Sequence, residues 1–293
     1  MGSVGELTAS ALERAARVDL AAAFRLAVRL DLHEGVCNHF SVMLADGHTF
    51  LLNRYGLHWS EVTASNLLAL DAAGRILGAD GEYEKTAFWI HSRIHLAHPR
   101  AACVLHTHMP YATALTLLED GRLEMVEQNA LRFHDDIAYD ETYNGLVVDE
   151  AEGDRLARVL GAKHVLFLAN HGVIVVGPTV AEAFDSLYYL ERASRLQVLA
   201  RMMGGKRRAV RPEVVERTCR LMRADAPQYA GAMRTFARGA FPGSPRISAA
   251  CSSATAIARL TAPAPRTATA SRIRSMCATA PKAAASAAPS WTS

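Results

Sequence analysis

The sequence predicts a single α/β domain with a mixed or mainly antiparallel sheet, and three observations carry that reading. From residue 8 to about 240, helix-period and strand-period segments alternate, without the strict strand-helix-strand recurrence of a parallel sheet. Two short apolar runs end in histidine-bearing turns, at Val104-Leu105-His106-Thr107-His108 and at Phe167-Leu168-Ala169-Asn170-His171. Of the 293 residues, 50% are hydrophobic, enough for a well-buried core.

The elements follow in order. Thr8 or Ser10 is placed to cap a helix running to about Leu32, with Leu12, Ala15, Ala16, Leu20, Ala23, Phe24, Ala27 and Val28 along one face. Phe40 to Leu44 and Thr49 to Leu52 read as strands joined by the turn Asp46-Gly47, a hairpin. Trp59 to Leu68 favours helix after Gly56, and Leu68 to Leu77 reads as strand, turn at Ala73-Gly74, strand. A helix from Thr86 to Ala97 leads through Pro99 into the strand that carries His106 and His108. A helix is expected at Tyr111 to Leu118, a strand near Leu123 to Val126 and another at Ile137 to Ala138. Then come a helix from about Asp149 to Leu160, strands at His164 to Leu168 and Val173 to Val176, and a long helix over Val180 to Met203.

From about Gly243 the composition changes to Ala, Ser, Thr, Pro and Arg, with Trp291 as the sole aromatic. Such a segment buries too little apolar surface to offset its ordering entropy, so residues 241–293 are expected to form a disordered tail to a domain of residues 1–240. The tail also distorts the charge. Asp225 is the last acidic residue and eight basic residues follow it, so residues 1–225 carry five net negative charges although the whole chain carries +3. An acidic body without a basic stripe and interleaved aromatics excludes nucleic-acid binding as an expectation. No apolar run reaches the roughly 18 residues of a membrane span, and Met1-Gly2-Ser3-Val4-Gly5-Glu6 lacks a basic segment followed by an apolar one, so cytoplasm is the expected location. The five cysteines are scattered, with no Cys-x-x-Cys pair, which fits a reducing compartment and argues against thiolate metal ligation.

The chemistry concentrates in the two histidine-bearing turns. In a strand, residues i and i+2 share a face, so His106 and His108 can both reach one ion. His171 supplies a third imidazole from a second strand end, beside Gly172, where the absence of a side chain allows close approach. Three neutral imidazoles with an open position describe a catalytic-type site for a divalent ion, zinc first, with manganese or iron as alternatives. His91 and His95, inside the expected Thr86 to Ala97 helix, and His98, just past its end, read instead as ordinary core or surface histidines.

With those residues assembled, the chain resembles the class II aldolase/adducin family over roughly residues 10 to 240. The matching segments are Asn38-His39-Phe40-Ser41-Val42, Asn53-Arg54-Tyr55-Gly56-Leu57, Glu61-Val62-Thr63-Ala64-Ser65, Ile90-His91 through Pro99 to His106-Thr107-His108, Tyr143-Asn144-Gly145, and Leu168-Ala169-Asn170-His171-Gly172. Several agree best with the adducin head domain and its bacterial relatives. The resemblance implies a three-layer α/β/α sandwich around a largely antiparallel sheet, a divalent metal on His106, His108 and His171, and a homotetramer with sites between subunits. It also marks a departure. Family aldolases carry a glutamate nineteen residues before the first metal histidine, where this chain has Ala87, and their proton-donating tyrosine falls near Gln128.

Substitutes lie nearby. Glu84, with Glu82 as a second choice, precedes Ala87 by one helical turn, and Tyr111 or Tyr143 offers a phenolic proton. Asn38, His39, Asn53 and Arg54 stand in the segments that match the family's substrate-anion loops, with Asn38, Asn53 and Arg54 taken as substrate-binding and Arg54 able to pair a carboxylate. Side chains of this kind suit a carboxylate or phenolic ligand better than a sugar phosphate. The expected function is thus a metal-dependent lyase for a small oxo- or hydroxy-acid, with Glu84 or Tyr111 moving the proton. The alternative is a non-catalytic adducin-like module that oligomerises or binds a partner.

Overall fold

The computed structural model describes residues 4–225, so the expected 241–293 tail lies outside the described residues. Eight strands form one sheet: β1 (His39–Met43), β2 (Thr49–Leu52), β3 (Leu68–Asp71), β4 (Ile76–Leu77), β5 (Cys103–Thr107), β6 (Ile137–Asp140), β7 (Val165–Leu168) and β8 (Gly172–Gly177). The helices are α1 (Val4–Arg29), α2 (Lys85–Ala97), α3 (Pro110–Thr116), α4 (Glu150–Leu160), α5 (Val180–Met202) and α6 (Pro212–Ala224). The strand order is β4-β3-β2-β1-β5-β8-β7-β6. Every neighbouring pair is antiparallel except β6 with β7.

Strand alternation sends the buried residues to two faces. On one, Phe40, Leu51, Leu105, Phe167, Val173 and Val175 pack against Leu20, Phe24 and Ala27 of α1, Ala112 and Leu115 of α3, and Phe184 and Leu187 of α5. On the other, Val104, Leu166, Ile174 and Val176 meet Ile90 and Ile94 of α2 and Leu156 and Leu160 of α4. A separate cluster of Phe50, Leu52, Leu68 and Leu70 lies under Ala87 and Phe88 at the start of α2. The result is the expected α/β/α sandwich. The helices stop and start where their chemistry dictates. Asp149 and Thr179 cap α4 and α5 by accepting from the Glu152 and Glu182 amides, and α2 begins at Glu84, whose carboxylate accepts from the Ala87 amide at 2.7 Å.

Several expectations need correction. Helix α1 starts at Val4, so neither Thr8 nor Ser10 caps it, and Leu12 is 53% exposed because only the second half of the helix crosses the sheet. Trp59 to Leu68 forms only a 3-10 turn, Trp59–Glu61. The Asn66 side chain bonds the Thr63 amide and the Glu61 carbonyl, while Arg17 and Arg25 of α1 take the Leu67 and Val62 carbonyls, so side chains claim the groups a helix would need. Leu123 to Val126 is no strand: the Leu123 amide goes to the Tyr139 hydroxyl and the Glu124 amide to Gln197 Oε1. Helix α6 was not expected. It opens with Pro212 at its first position and buries only Val215 and Cys219.

Helices α2 and α4 approach closely at Gly153, where a Cβ would stand 2.5 Å from the Trp89 carbonyl oxygen. Gly153→Ala is therefore expected to destabilise the domain by about 1–3 kcal/mol through overpacking, read as a lowered urea midpoint at unchanged m-value. An unchanged midpoint would mean the two helices part without cost.

Candidate metal centre

β5 delivers His106, His108 follows just past its end, and the tight β7–β8 connection delivers His171. Asn170 absorbs that turn in the left-handed region, at φ 56°. The three rings converge with centroids 4.7 to 5.0 Å apart, and one nitrogen from each lies within 4.8 Å of the others. The glycine after His171 is required sterically, because a Cβ at Gly172 would come within 2.7 Å of His108 Cδ2 and 2.6 Å of the Thr107 carbonyl oxygen.

Hydrogen bonds set the tautomers. His106 Nδ1 is 3.0 Å from the Val173 carbonyl, which only accepts, so Nδ1 carries the proton. His108 Nδ1 donates to the Glu34 carboxylate at 2.5 Å. Both Nε2 atoms are then bare lone pairs, and they face each other at 3.2 Å. Two acceptors at that distance repel unless a cation or proton lies between them. Burial pushes the His106 pKa well below its ordinary value, and burial followed by the His108 charge lowers that of His171 to about 4, so neither of those two rings favours a proton. The separation is close to that of two nitrogen ligands on one tetrahedral ion with bonds of about 2.0–2.1 Å. A divalent cation therefore fits this donor set. Glu34 and the Val173 carbonyl supply the outer contacts that aim the two ligand rings.

The three histidines border a cavity of about 300 Å³, lined also by Asn38, Asn53, Glu84 and Tyr143. Asn38, held at φ 75°, accepts from the His108 amide with Oδ1, and its buried Nδ2 has no partner. Asn53 Oδ1 is likewise buried without a partner. Tyr143 packs edge-on to His171, with centroids 6.2 Å apart. Two expected residues lie elsewhere. Arg54 spends its guanidinium on the Asn66 and Asp80 carbonyls and does not line the cavity. Tyr111 sits in the first turn of α3, where its amide donates to Glu191 and its ring lies under Arg195 of α5, so its hydroxyl is not part of the cavity wall. Ala87 is buried in the cluster with Phe50 and Phe88, and the carboxylate nearest to it is that of Glu84, which also accepts from Thr86 Oγ1.

Sequence reasoning passed over Glu34, which lies in an irregular loop 74 residues from His108, and gave His39 no role beyond its segment's match to the family. His39 pairs in register with His106 across β1 and β5 and stacks on it at 4.8 Å. Behind it run His91, Ser41 and His95, all buried. Burial lowers the His39 pKa to about 3, helped by the nearby His171 and His108, and lowers that of His95 to about 4. The unfolded chain binds these protons below its ordinary value of 6.5 and the folded chain does not. Stability is thus complete above pH 6.5 and is lost as pH falls through 6.5 toward 4, by about 1.4 kcal/mol per unit for each ring. Urea titrations of chelator-treated protein at pH 7 and pH 5 check this, equal midpoints being the contrary result. A second expectation concerns Gly172→Ala, which is expected to lower the divalent-metal content measured by elemental analysis after metal loading, by displacing the His108 ring.

The family described as Class II Aldolase and Adducin N-terminal domain matches residues 18–198. A Caulobacter vibrioides protein named for aldolase class 2 is 34% identical over 209 residues, which cover 71% of this chain and 80% of that protein. Mouse alpha-adducin is 35% identical over 191 residues, 64% of this chain but 26% of the adducin. Among solved structures, an aldolase II superfamily protein from Pseudomonas syringae superposes with a TM-score of 0.73 at 32% identity, covering 78% of this chain and 93% of that one. The L-fuculose 1-phosphate aldolase of Glaciozyma antarctica shares the fold, with a TM-score of 0.66 at 24% identity, 80% of this chain and 92% of that one. The chain belongs to the class II aldolase and adducin family.

Proposed function

We propose that this protein is a metal-dependent carbon-carbon lyase of aldolase or decarboxylase type, acting on a small oxo- or hydroxy-acid. One observation carries the reading: two imidazole lone pairs held face to face at 3.2 Å, with both opposite ring nitrogens committed as donors, on the wall of a cavity of about 300 Å³. Zinc suits three imidazoles with an open position, and Mn²⁺ or Fe²⁺ are the alternatives. When bound, the cation supplies Lewis-acid stabilisation of the negative charge that develops on an enolate.

The chain's own side chains supply the remaining steps. Asn38 Nδ2 donates to an acceptor oxygen of the acid, gaining the partner it otherwise lacks, and Asn53 Oδ1 offers a further acceptor to the bound ligand. Glu84, on the cavity wall one helical turn from the position of Ala87, moves the proton. The phenol that donates a proton is Tyr143 rather than Tyr111, by its place beside His171. A homotetramer is supported by apolar side chains left open near the cavity, Leu146 at 70% and Val148 at 63% exposure. A cytoplasmic setting is supported by the free thiols Cys37, Cys103 and Cys219 among the described residues. The adducin-like, non-catalytic reading has one observation of its own: Ala87 is sealed in an apolar cluster where family aldolases carry a glutamate.

Elemental analysis of His108→Ala tests the ligand assignment on which the lyase reading stands. The ring is partly exposed, so the variant is expected to fold and to lose the ion, whereas full metal occupancy would overturn the ligand assignment. Glu84→Gln keeps an acceptor for the α2 cap and is expected to lower turnover of a cleaved oxo-acid by about 10²–10⁴-fold, followed as carbonyl or carbon dioxide release. Wild-type protein that carries zinc yet cleaves no member of an oxo- and hydroxy-acid panel would favour the scaffold.

A further inference from the structure

A row of buried polar groups runs from the cavity into the domain. His39 Nδ1 lies 2.7 Å from His91 Nε2, His91 Nδ1 lies 2.5 Å from Ser41 Oγ, Ser41 Oγ lies 2.7 Å from His95 Nε2, and His95 Nδ1 lies 2.5 Å from the Ala101 carbonyl oxygen. His91 is fully buried, Ser41 likewise, and no carboxylate contacts any member of the row among the described residues.

The far end dictates every proton position. A carbonyl only accepts, so His95 Nδ1 holds a hydrogen and, in a neutral ring, Nε2 does not. That bare nitrogen must receive the Ser41 hydroxyl hydrogen. A serine has one hydrogen to give, so Ser41 accepts from His91 Nδ1. His91 Nε2 is then bare and accepts from His39 Nδ1. The last position left is His39 Nε2, which has no hydrogen-bond partner among the described residues although His39 lines the cavity. The four groups come from two interlocking periodicities: His39 and Ser41 are two apart on β1, and His91 and His95 four apart on α2.

We infer that His39, His91, Ser41 and His95 form a one-directional hydrogen-bond chain that fixes His39 Nε2 as an acceptor facing the cavity, so that the ligand bound there presents a hydroxyl hydrogen to it. The ligand class follows from this inventory together with Asn38 Nδ2 as donor: an acid bearing an alcoholic or phenolic hydroxyl rather than a plain oxo-acid. An analogue lacking that hydroxyl leaves a desolvated acceptor unpaired, which discriminates strongly. His39 is a binding residue in this scheme, while His91, Ser41 and His95 are positioning residues that act through it. The ligand half of this inference rests on the metal-site reading above, and the proton arrangement does not.

Two measurements test the two halves separately. Two-bond proton-nitrogen NMR of histidine-labelled full-length protein is expected to show His39, His91 and His95 as neutral Nδ1-H tautomers at pH 7. In Ser41→Ala the His91 signal should lose that pattern while His95, still held by the Ala101 carbonyl, keeps it, and Ser41→Thr should restore His91. An Nε2-H tautomer at any of the three positions in the wild type overturns the chain. Calorimetric titration of zinc-loaded protein with glycolate and with acetate reads the ligand half. The preference for glycolate is expected to fall at least tenfold in His39→Phe and several-fold in Ser41→Ala, at unchanged zinc content. An undiminished preference in both variants overturns the assignment of His39. Failure of the wild type to hold zinc would overturn the metal reading and the ligand class with it, and leave the tautomer result to stand or fall alone.

Discussion

The register between β1 and β5 is the constraint on which the site depends. It sets His39 opposite His106 and Ser41 opposite Val104, and strand alternation then sends all four to the face covered by α2. A slip of one residue would turn Phe40 and Val42 toward α2 and bury His39 and Ser41 among the side chains of α1 and α5. Both outcomes would strand polar groups in an apolar layer. The register is enforced from the other face, where Phe40 stacks on Phe24 and packs against Trp59.

This arrangement explains why the α2 face has two apolar clusters rather than one. Phe50, Leu52, Leu68 and Leu70 lie on one side of β1, and Val104, Leu166, Ile174 and Val176 lie beyond it. Between them His39 and Ser41 meet His91 and His95 in a polar seam. Burying such groups is costly unless each is paired, and every member of the seam is, with the cavity end as the sole exception. The α1, α3 and α5 face has no such interruption and supplies the larger continuous core.

The candidate metal centre uses the ends of the same strands. Paired backbone holds the Cα positions of His106 and Gly172, and contacts from remote residues, Glu34 and Val173, turn the rings. Helix α3 is pinned directly after the histidine pair by Glu191, whose two carboxylate oxygens accept from the Tyr111 and Ala112 amides at 2.8 Å. Burial raises the pKa of that carboxyl, so its anionic form depends on those amides and on the helix N-terminus. The carboxylate that family aldolases place at the position of Ala87 has its nearest counterpart here in the Glu84 cap. In the proposed reaction the group that caps α2 would also move the proton, which would make α2 the element through which structure and chemistry are coupled.

Much was legible in the linear pattern, because periodicity and capping are local. The hairpin of β1 and β2, the α2 and α4 segments, the strand ends bearing His106 and His171, and the long α5 all follow from spacing that any window of the chain reveals. The misreadings share a cause: at Trp59 to Leu68 and Leu123 to Val126, side chains from α1, α5 and β6 take the backbone groups that local propensity had assigned to a helix or a strand. The chain by itself determined the α/β class, the family and the identity of three converging imidazoles. Tertiary structure alone decided that Arg54 and Tyr111 turn away from the cavity, that Glu34 meets His108, and that His39 lines the cavity with His91 behind it. Those outcomes depend on contacts between residues tens of positions apart, and no local preference encodes which nitrogen of a ring meets which oxygen.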